Sequence, residues 1–357
     1  MTAALEELHS PWSDATPQDR VRRRWLLAVT LIAFVVSVVA TGFPTGREVI
    51  TLWLLLTLLA ACAGHVGVWM RAVVRDWLPL LAVLWAYDLL RGVANEIGGA
   101  LFDLPRWCAA DTAADCARAG HLTARAHLTE PISLDSALFG GHVPTVWLQD
   151  HLFTAGTAHW YDALIVPVYL SHFLVSLLLA VVLWCRSYSE FRRYLTALVA
   201  LTVAAVSTYL LYPMAPPWMA ALNPSKLAGA DIHRVVQETL TTLGGSQLGS
   251  KVEQGAAYSN RVAAMPSLHA AIPMLLLLLF WNRVHAALRI VLVLYAAGMA
   301  FALVYGGEHY VTDVLAGWAY AAVTVAVVGR RYRSRSDDKR AVHAGMDAAV
   351  EGERARP

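Results

Sequence analysis

Charged residues are scarce in this chain. Asp, Glu, Lys and Arg make up 15% of its 357 residues, whereas 57% are hydrophobic. A water-soluble globule of this composition would have to hide an implausible amount of apolar surface, so a soluble fold is excluded. The composition therefore predicts a membrane protein.

The chain also lacks an extended basic surface, internal repeats and low-complexity tracts. Its formal net charge is +2, and its arginines stand in short clusters at the ends of apolar runs. Nucleic acid is therefore not an expected partner. Residues 1–19 and the basic segment 330–357 are polar and poor in aromatic residues, which predicts two disordered tails.

Apolar runs of about 20 residues, the length that crosses a bilayer, recur along the chain. We expect an all-α, polytopic transmembrane helix bundle of about eight spans. The runs lie at residues 25–42, 49–69, 77–94, 163–184, 193–212, 266–282, 286–305 and 309–329. The segment "RVRRRW" precedes the first run, and no small-residue cleavage site follows it, which indicates an uncleaved anchor.

The arginine clusters predict the orientation of these spans. If the amino terminus is cytoplasmic, every short basic loop lies on the cytoplasmic side, as the positive-inside rule requires. The long loops 95–162 and 213–265 then face outward, and both termini are cytoplasmic. The predicted location is the cell membrane, crossed several times.

Cysteine is rare as well, with four residues in the chain. Cys62 and Cys185 lie within or at the ends of spans and are interpreted as packing residues. Cys108 and Cys116 share the first outward loop, which the orientation places in an oxidising compartment. They form either a small disulfide loop or two free thiols.

Polar side chains at membrane depth are costly, about 3 kcal/mol or more at the bilayer centre, and each is a candidate for function. In "AAMPSLHAAI", residues 263–272, Pro266 suits the first turn of a helix, and Ser267 and His269 lie in that turn. Free N–H groups and a positive dipole end favour phosphate binding there, with His269 as an acid. The alternative is a capped helix start with an incidental histidine.

A second polar segment is "YGGEHYVTDVLAGW". His309 and Asp313 are four residues apart and share one helix face, so the carboxylate can orient the imidazole and leave its other nitrogen free to attack. Gly306 and Gly307 permit close approach of a ligand. The alternative is a buried pair that only stabilises packing.

Both segments lie at outward-facing ends of spans under the predicted orientation. Together they predict phosphoryl transfer, in which one histidine forms a phosphoenzyme and the other protonates the departing oxygen. This requires His269 and His309 to lie within about 10 Å, close enough to flank one phosphorus.

These segments also carry a resemblance. "MPSLHA" and "GEHYVTDVLAG" resemble the second and third signature motifs of the type 2 phosphatidic acid phosphatase superfamily, over roughly residues 77–329. "YPMAPPW" resembles the variant first motif of its inositolphosphotransferase branch, which includes fungal inositol phosphorylceramide synthase. The general K-x6-R-P motif is absent, and Ala302 and Leu303 replace the Ser-Arg pair of the third motif, which favours that branch.

The resemblance implies a six-helix catalytic core over residues 77–329, preceded by two additional transmembrane helices in residues 20–76. It implies His309 as the nucleophile, Asp313 as its partner, His269 as the general acid and later base, and Ser267 as a phosphate ligand. No metal or other cofactor is implied. The expected partners are a phosphorylated lipid substrate in the bilayer and either water or a lipid alcohol as acceptor.

The negative charge of the transition state calls for a cation beyond the helix terminus. Arg261, on the outward side, is the first candidate for binding the substrate phosphate. Arg91 is the second, with an ion pair to Asp88 or Glu96 as the alternative. The other basic residues considered in the second outward loop are interpreted as solvated charges: Lys226, Arg234 and Lys251.

The residues expected to line the pocket are Tyr212, Pro216, Pro217, Trp218, Tyr305, Asp162 and His172. Asp162 and His172 are expected to form a polar cluster for an acceptor headgroup, although His172 is alternatively a satisfied interior histidine. Trp218 is alternatively an interfacial anchor. The other outward histidines have no regular ligand spacing, so a metal site among them is not expected.

The predicted function is an integral-membrane lipid phosphatase or phosphotransferase with an outward-facing active site. Transfer of a phospho-headgroup such as inositol phosphate is slightly favoured over hydrolysis. The alternative is a non-catalytic transporter or scaffold with a structural His–Asp pair. A third interpretation is a metal-dependent hydrolase with His269, His309 and Asp313 as ligands.

Overall fold

The computed structural model describes residues 16–41, 47–64, 66–101, 106–108, 123–222, 227, 230–244 and 262–354. The long helices are α1 (Pro17–Thr41), α2 (Arg47–Ala61), α3 (Val66–Leu101), α6 (Trp160–Arg186), α7 (Tyr188–Leu211), α10 (Leu268–Phe280), α11 (Ala286–Tyr305) and α12 (Val311–Arg354). Shorter helices lie between them: α4 (Thr129–Leu138), α5 (Pro144–Leu152), α8 (Pro217–Ala221) and α9 (235–244).

The protein is helical, as the composition predicts, apart from one small ribbon. Within the described ranges, the strands are β1 (Arg106–Cys108) and β2 (Thr123–Arg125), which pair antiparallel. They lie in the loop 95–162, which also contains α4 and α5. Cys116 is outside the described residues, so a disulfide with Cys108 and two free thiols both stay predictions.

Three of the described helices are long and apolar enough to cross a membrane. They are Tyr188–Leu211, Ala286–Tyr305 and the segment Val311–Tyr332 of α12. The two halves of α6, Trp160–His172 and Leu174–Arg186, are bent by 49° and add a fourth if they form one span. These helices fit a membrane protein, and the number of eight spans stays a prediction.

The helix α12 extends beyond its predicted end. Composition predicts a disordered tail over 330–357, whereas the structure is helical to Arg354. The physical reason is local, because Ala, Arg, Lys and Glu favour helix and no proline interrupts the segment. The first tail, 1–19, lies mostly outside the described residues, and α1 begins at Pro17.

The short apolar helix α10 is central in the bundle. It packs against α12, α11, α7 and α6, and α3 packs against α7. The main core includes Leu58, Trp77, Trp184 and Leu275, which are buried side chains from α2, α3, α6 and α10. The amino-terminal end of α10 carries Ser267 and His269, so the core fixes these two residues.

The two ends of the bundle differ in chemistry. At one end, α6 connects to α7 and α10 connects to α11, and Arg283 forms an ion pair with Glu190 across these connections. Nearby, the buried carboxylate of Asp76 accepts hydrogen bonds from Trp184 Nε1 at 3.0 Å and from Tyr188 OH at 2.8 Å. The helices α10 and α12 begin at the opposite end.

Large apolar side chains are exposed on the outer faces of α11 and α12. Leu294 is 65% exposed and Val323 62% exposed. Extended apolar surface of this kind is unfavourable in water and is typical of helices that face lipid. The bundle therefore has the exterior of a membrane protein.

At the end where α10 begins, three separate segments are joined through their backbones. Met214 forms isolated bridges with both His127 and Ala263. The backbone N–H of Met214 donates to the carbonyl oxygen of Val262 at 2.8 Å. The "YPMAPPW" segment is therefore held directly beside the residues that lead into α10.

Candidate active site

The helix α10 begins slightly later than predicted: Pro266 and Ser267 precede its first residue, Leu268, and His269 lies in its first turn. Ser267 is the N-cap residue, and its Oγ accepts a hydrogen bond from the Ala270 N–H at 3.3 Å. The preceding carbonyl, that of Pro266, accepts a hydrogen bond from Tyr209 OH at 2.6 Å. This arrangement places His269 in a helical first turn whose free N–H groups suit an anion.

His309 and Asp313 form a pair at the start of α12. The Nδ1 atom of His309 lies 3.4 Å from Asp313 Oδ2, and the same oxygen accepts a hydrogen bond from the Tyr310 N–H at 2.9 Å. Asp313 is fully buried, and His309 is 7% exposed. Because a carboxylate can only accept, this contact favours the tautomer with the proton on Nδ1, which leaves the Nε2 lone pair for reaction.

The two histidine segments meet at this end of the bundle. The ring centroids of His269 and His309 are 5.9 Å apart, and the rings are inclined by 52°. This separation is well inside the limit of about 10 Å that a shared phosphorus requires. The arrangement can therefore present two imidazoles to one anionic group.

A close backbone approach fixes the relative position of α10 and α12. The Ser267 N–H donates to the carbonyl oxygen of Asp313 at 3.1 Å. A Cβ atom added to Gly317, one turn further along α12, would collide with the carbonyl oxygen of Ser267. Glycine is therefore required where α12 passes the cap of α10.

Asp135, in the loop 95–162, supports the segment that follows His309, and no sequence pattern indicated this role. Its buried carboxylate accepts hydrogen bonds from the Val311 N–H and the Thr312 N–H, both at 2.9 Å. These are two of the free N–H groups at the start of α12, so Asp135 caps that helix. Its spacing to its partners is long-range and follows no motif.

Two more side chains of α6 surround His269. Its ring lies against that of His172, with centroids 4.0 Å apart, and stacks on Tyr169 at 5.1 Å with an interplanar angle of 11°. His172 therefore belongs to the same histidine cluster as His269 and His309. Tyr169 was not among the predicted site residues.

Asp162 does not join His172, contrary to the expectation of one polar cluster. Asp162 Oδ2 accepts a hydrogen bond from the His159 N–H at 2.8 Å, and its Oδ1 accepts one from Tyr305 OH at 2.6 Å. Ten residues of α6, or about 15 Å of helical rise, separate Asp162 from His172. Asp162 is therefore a capping residue, and Tyr305 is its buried partner in a hydrophobic cluster.

The other predicted pocket residues lie close together in the chain, in the segment 212–218. Pro216, Pro217 and Trp218 are buried, and Trp218 is only 6% exposed. Such burial does not fit an interfacial anchor. Tyr212 stacks on His127 with ring centroids 3.8 Å apart.

Arg234 differs from the prediction of a solvated loop charge. Its Nε lies 3.0 Å from Glu308 Oε1, and the two side chains are 17% and 12% exposed. The guanidinium also lies over the ring of Trp218, with Cζ 4.7 Å from the centroid. Glu308 directly precedes His309, so this ion pair adjoins the site. The sequence does contain one signal for this pair, because Glu308 is a charged residue next to the candidate nucleophile His309.

Gly307 completes the contact between these two segments. It has φ +76°, and a Cβ atom there would lie 2.6 Å from the carbonyl oxygen of His233. Gln149 Nε2 donates to the carbonyl oxygens of both His233 and Tyr305, at 2.9 Å and 2.8 Å. His233, which directly precedes Arg234, is thus held against the backbone just before His309.

For several of the basic residues considered in the sequence analysis, the structure describes no side chain. Arg261, Lys226 and Lys251 are outside the described residues, and of Arg91, Asp88 and Glu96 only the helical backbone is described. The roles predicted for Arg261 and Arg91 therefore stay predictions. Among the residues that the structure covers, no group of three or more His, Cys, Asp or Glu side chains could hold a metal ion, and this includes His269, His309 and Asp313.

Comparison with known families agrees with this geometry. The family model described as the PAP2 superfamily matches residues 132–327, which is more than half of the chain. The chain belongs to the PAP2 superfamily. Members of this superfamily are generally phosphatases or phosphotransferases, which supports an enzyme that acts on phosphorylated lipid.

The PAP2 match includes both histidine segments and begins within α4, so residues 77–131 of the wider resemblance lie outside it. It does not distinguish the inositolphosphotransferase branch. In the comparisons with curated proteins and with solved structures, nothing matches the chain.

Proposed function

We propose that this PAP2 protein is a lipid phosphatase or phosphotransferase that works through a phosphohistidine at residue 309. The observation that carries the proposal is the 5.9 Å separation of the His269 and His309 rings, beside a capped helix start. The substrate is a lipid phosphate. We further propose that the chain belongs to the inositolphosphotransferase branch, because "YPMAPPW" carries no cation and the Ser-Arg pair is absent.

In the first step, His309 Nε2 attacks the phosphorus and the bond from phosphorus to the leaving oxygen breaks. His269 donates a proton to that oxygen, so the lipid alcohol leaves neutral. Asp313 holds the His309 ring and stabilises its positive charge. The first-turn N–H groups of α10 and the Ser267 hydroxyl bind the phosphoryl oxygens.

In the second step, an acceptor oxygen attacks the phosphohistidine and the bond from phosphorus to Nε2 breaks. His269, now neutral, removes the acceptor's proton, which restores both histidines to their starting forms. Water as acceptor gives hydrolysis, whereas a lipid alcohol gives transfer. If the substrate is a phosphodiester and the group that moves is inositol phosphate, the same two steps apply without change.

The proposed membrane arrangement has eight spans with both termini in the cytoplasm. A six-helix core covers residues 77–329, with two additional helices before it. The basic connections at the end opposite the histidines support this orientation, since the positive-inside rule places them in the cytoplasm. The site then acts at the extracytoplasmic leaflet.

The test is phosphate release from a panel of lipid phosphates by purified protein with His309→Ala or His269→Ala. The matched control is His142→Ala, which changes an exposed histidine. Loss of release in the first two variants, with retained folding and an active control, supports the enzyme. Activity that survives both changes would instead favour a scaffold or transporter with a structural His–Asp pair.

A further inference from the structure

One charge pair at the site has no role in the steps above. Arg234 and Glu308 are both mostly buried, and they are joined at 3.0 Å. Burying an ion pair costs desolvation energy, and such a pair is weak support for stability. A protein that only needed packing here would be served as well by apolar side chains, so the pair calls for a functional explanation.

The position of the pair connects it to both histidines. Glu308 is adjacent to His309 in the chain. Tyr169, whose ring stacks on His269 at 5.1 Å, packs against the same hydrophobic cluster as Val235, the residue that follows Arg234. The pair is therefore connected through its chain neighbours to both histidines.

The surroundings of Arg234 hold its guanidinium in place. Its Cζ atom lies over the Trp218 ring, 4.7 Å from the centroid, and the backbone N–H of Trp218 donates to the carbonyl oxygen of Gly307 at 3.1 Å. A stacked arginine loses little conformational freedom when it binds, and its planar fork matches the oxygens of a phosphate. A lysine at position 234 would supply the positive charge but not the planar fork that matches the phosphate oxygens.

We propose that Arg234 is the cation that binds the anionic phosphate of the substrate, and that Glu308 occupies it when substrate is absent. The assignment rests on the phosphoryl-transfer site proposed above. A phosphate monoester brings more negative charge than one carboxylate, so it exchanges for Glu308 at the guanidinium. This supplies the cation that the family motifs lack in this chain.

Because phosphate and Glu308 compete for Arg234, removal of Arg234 and removal of the Glu308 charge should change the affinity for phosphate in opposite directions. Removal of Arg234 removes a charge-assisted contact to the phosphate and weakens binding. Removal of the Glu308 charge removes the competitor and tightens binding. If the ion pair were purely structural, both changes would affect phosphate binding in the same direction, because either one leaves a partner buried without its counter-charge.

The experiment measures binding by calorimetry to purified protein in detergent, with two probes. One probe is inorganic orthophosphate. The other is short-chain dihexanoyl phosphatidate, with His309→Ala added to every protein to prevent turnover. The variants are Arg234→Met, Arg234→Lys and Glu308→Gln. The control is Arg289→Met, which removes another arginine stacked on a tryptophan, 5.7 Å above Trp281 near the basic end.

Arg234→Met should weaken binding of both probes by about tenfold or more, with Arg234→Lys between it and the unaltered protein. Glu308→Gln should tighten binding by about threefold or more, and Arg289→Met should change nothing. Unaltered binding in Arg234→Met would overturn the proposal, as would equal weakening in Arg289→Met. An effect on phosphatidate alone would also overturn it, because the contact would then be to another part of the lipid.

If Arg234→Met does not fold, Glu308→Gln decides: tighter binding supports the exchange, and equal or weaker binding overturns it. Turnover of lipid phosphates by the unaltered protein is measured separately. Anion binding that depends on Arg234 without any turnover would refute the proposed reaction and leave the anion site. Turnover with binding independent of Arg234 would refute the anion site alone.

Discussion

The imidazoles of His269 and His309 lie with their ring centroids 5.9 Å apart, although they belong to different helix starts. Two connections hold them there. The Ser267 N–H donates to the carbonyl oxygen of Asp313, and Asp135 caps the start of α12. The site thus lies where two helix termini meet, and its chemistry depends on how rigidly the two termini are held against each other.

His269→Ala should affect substrates unequally. With a natural lipid phosphate the leaving alkoxide needs a proton, so kcat should fall by about 10²–10⁴-fold. With p-nitrophenyl phosphate the leaving group is stable as an anion, and the fall in the first step should be much smaller. Burst-phase measurement with both substrates tests this. An equal loss with both would contradict the role of His269 as the acid.

Asp313→Asn should preserve the fold and reduce kcat. The amide can present an N–H to His309, which turns the imidazole to the tautomer with its proton on Nε2 and blocks attack. A fall of about 10²–10⁴-fold is expected by analogy with other oriented histidines. Turnover is measured beside a thermal unfolding curve. Activity within about threefold of the unaltered protein would show that the pair only supports packing.

Asp135→Ala should destabilise the protein by about 1–3 kcal/mol, because it leaves the N–H groups of Val311 and Thr312 buried without their acceptor. Asp135→Asn should lose less, since one oxygen remains. Asp150→Ala, an exposed acidic residue in the same loop, is the control and should stay within about 0.5 kcal/mol. Denaturant unfolding in detergent measures all three, and equal stability of the two alanine variants would contradict the capping role.

Gly317→Ala should separate α10 from α12, because the added methyl group meets the carbonyl oxygen of Ser267. We expect a loss of about 1–3 kcal/mol in stability together with lower turnover. Gly298→Ala is the matched change in α11, where nothing lies within 4 Å of the added atom. It should be neutral or stabilise by up to about 1 kcal/mol. Similar behaviour of the two variants in thermal unfolding would contradict the close approach.

The helix starts that carry the chemistry were predictable because their signals are local. Pro266 and Ser267 mark the beginning of α10, and the apolar run 286–305 coincides with α11. His309 and Asp313 are in contact as predicted, but they do not share a helix face, because α12 begins at Val311 and His309 precedes it. The family resemblance through the two histidine motifs agrees with the PAP2 match.

The supporting contacts were not predictable from pattern. Asp135 reaches Val311 and Arg234 reaches Glu308 across long stretches of chain, and no periodicity relates such positions. Asp162 was assigned to the wrong neighbour because its nearest polar groups, the His159 N–H and Tyr305 OH, include a backbone group and a residue from another helix. Tertiary packing decides these pairings.

The most direct test of the account is to identify the covalent intermediate. The protein is mixed with a lipid phosphate carrying a labelled phosphoryl group, quenched in alkali, where phosphohistidine survives, and digested for mass spectrometry. The account predicts label on His309, absent in His309→Ala and accumulated in His269→Ala when a substrate with a good leaving group is used. Turnover without any labelled histidine, or label on a different residue, would contradict it.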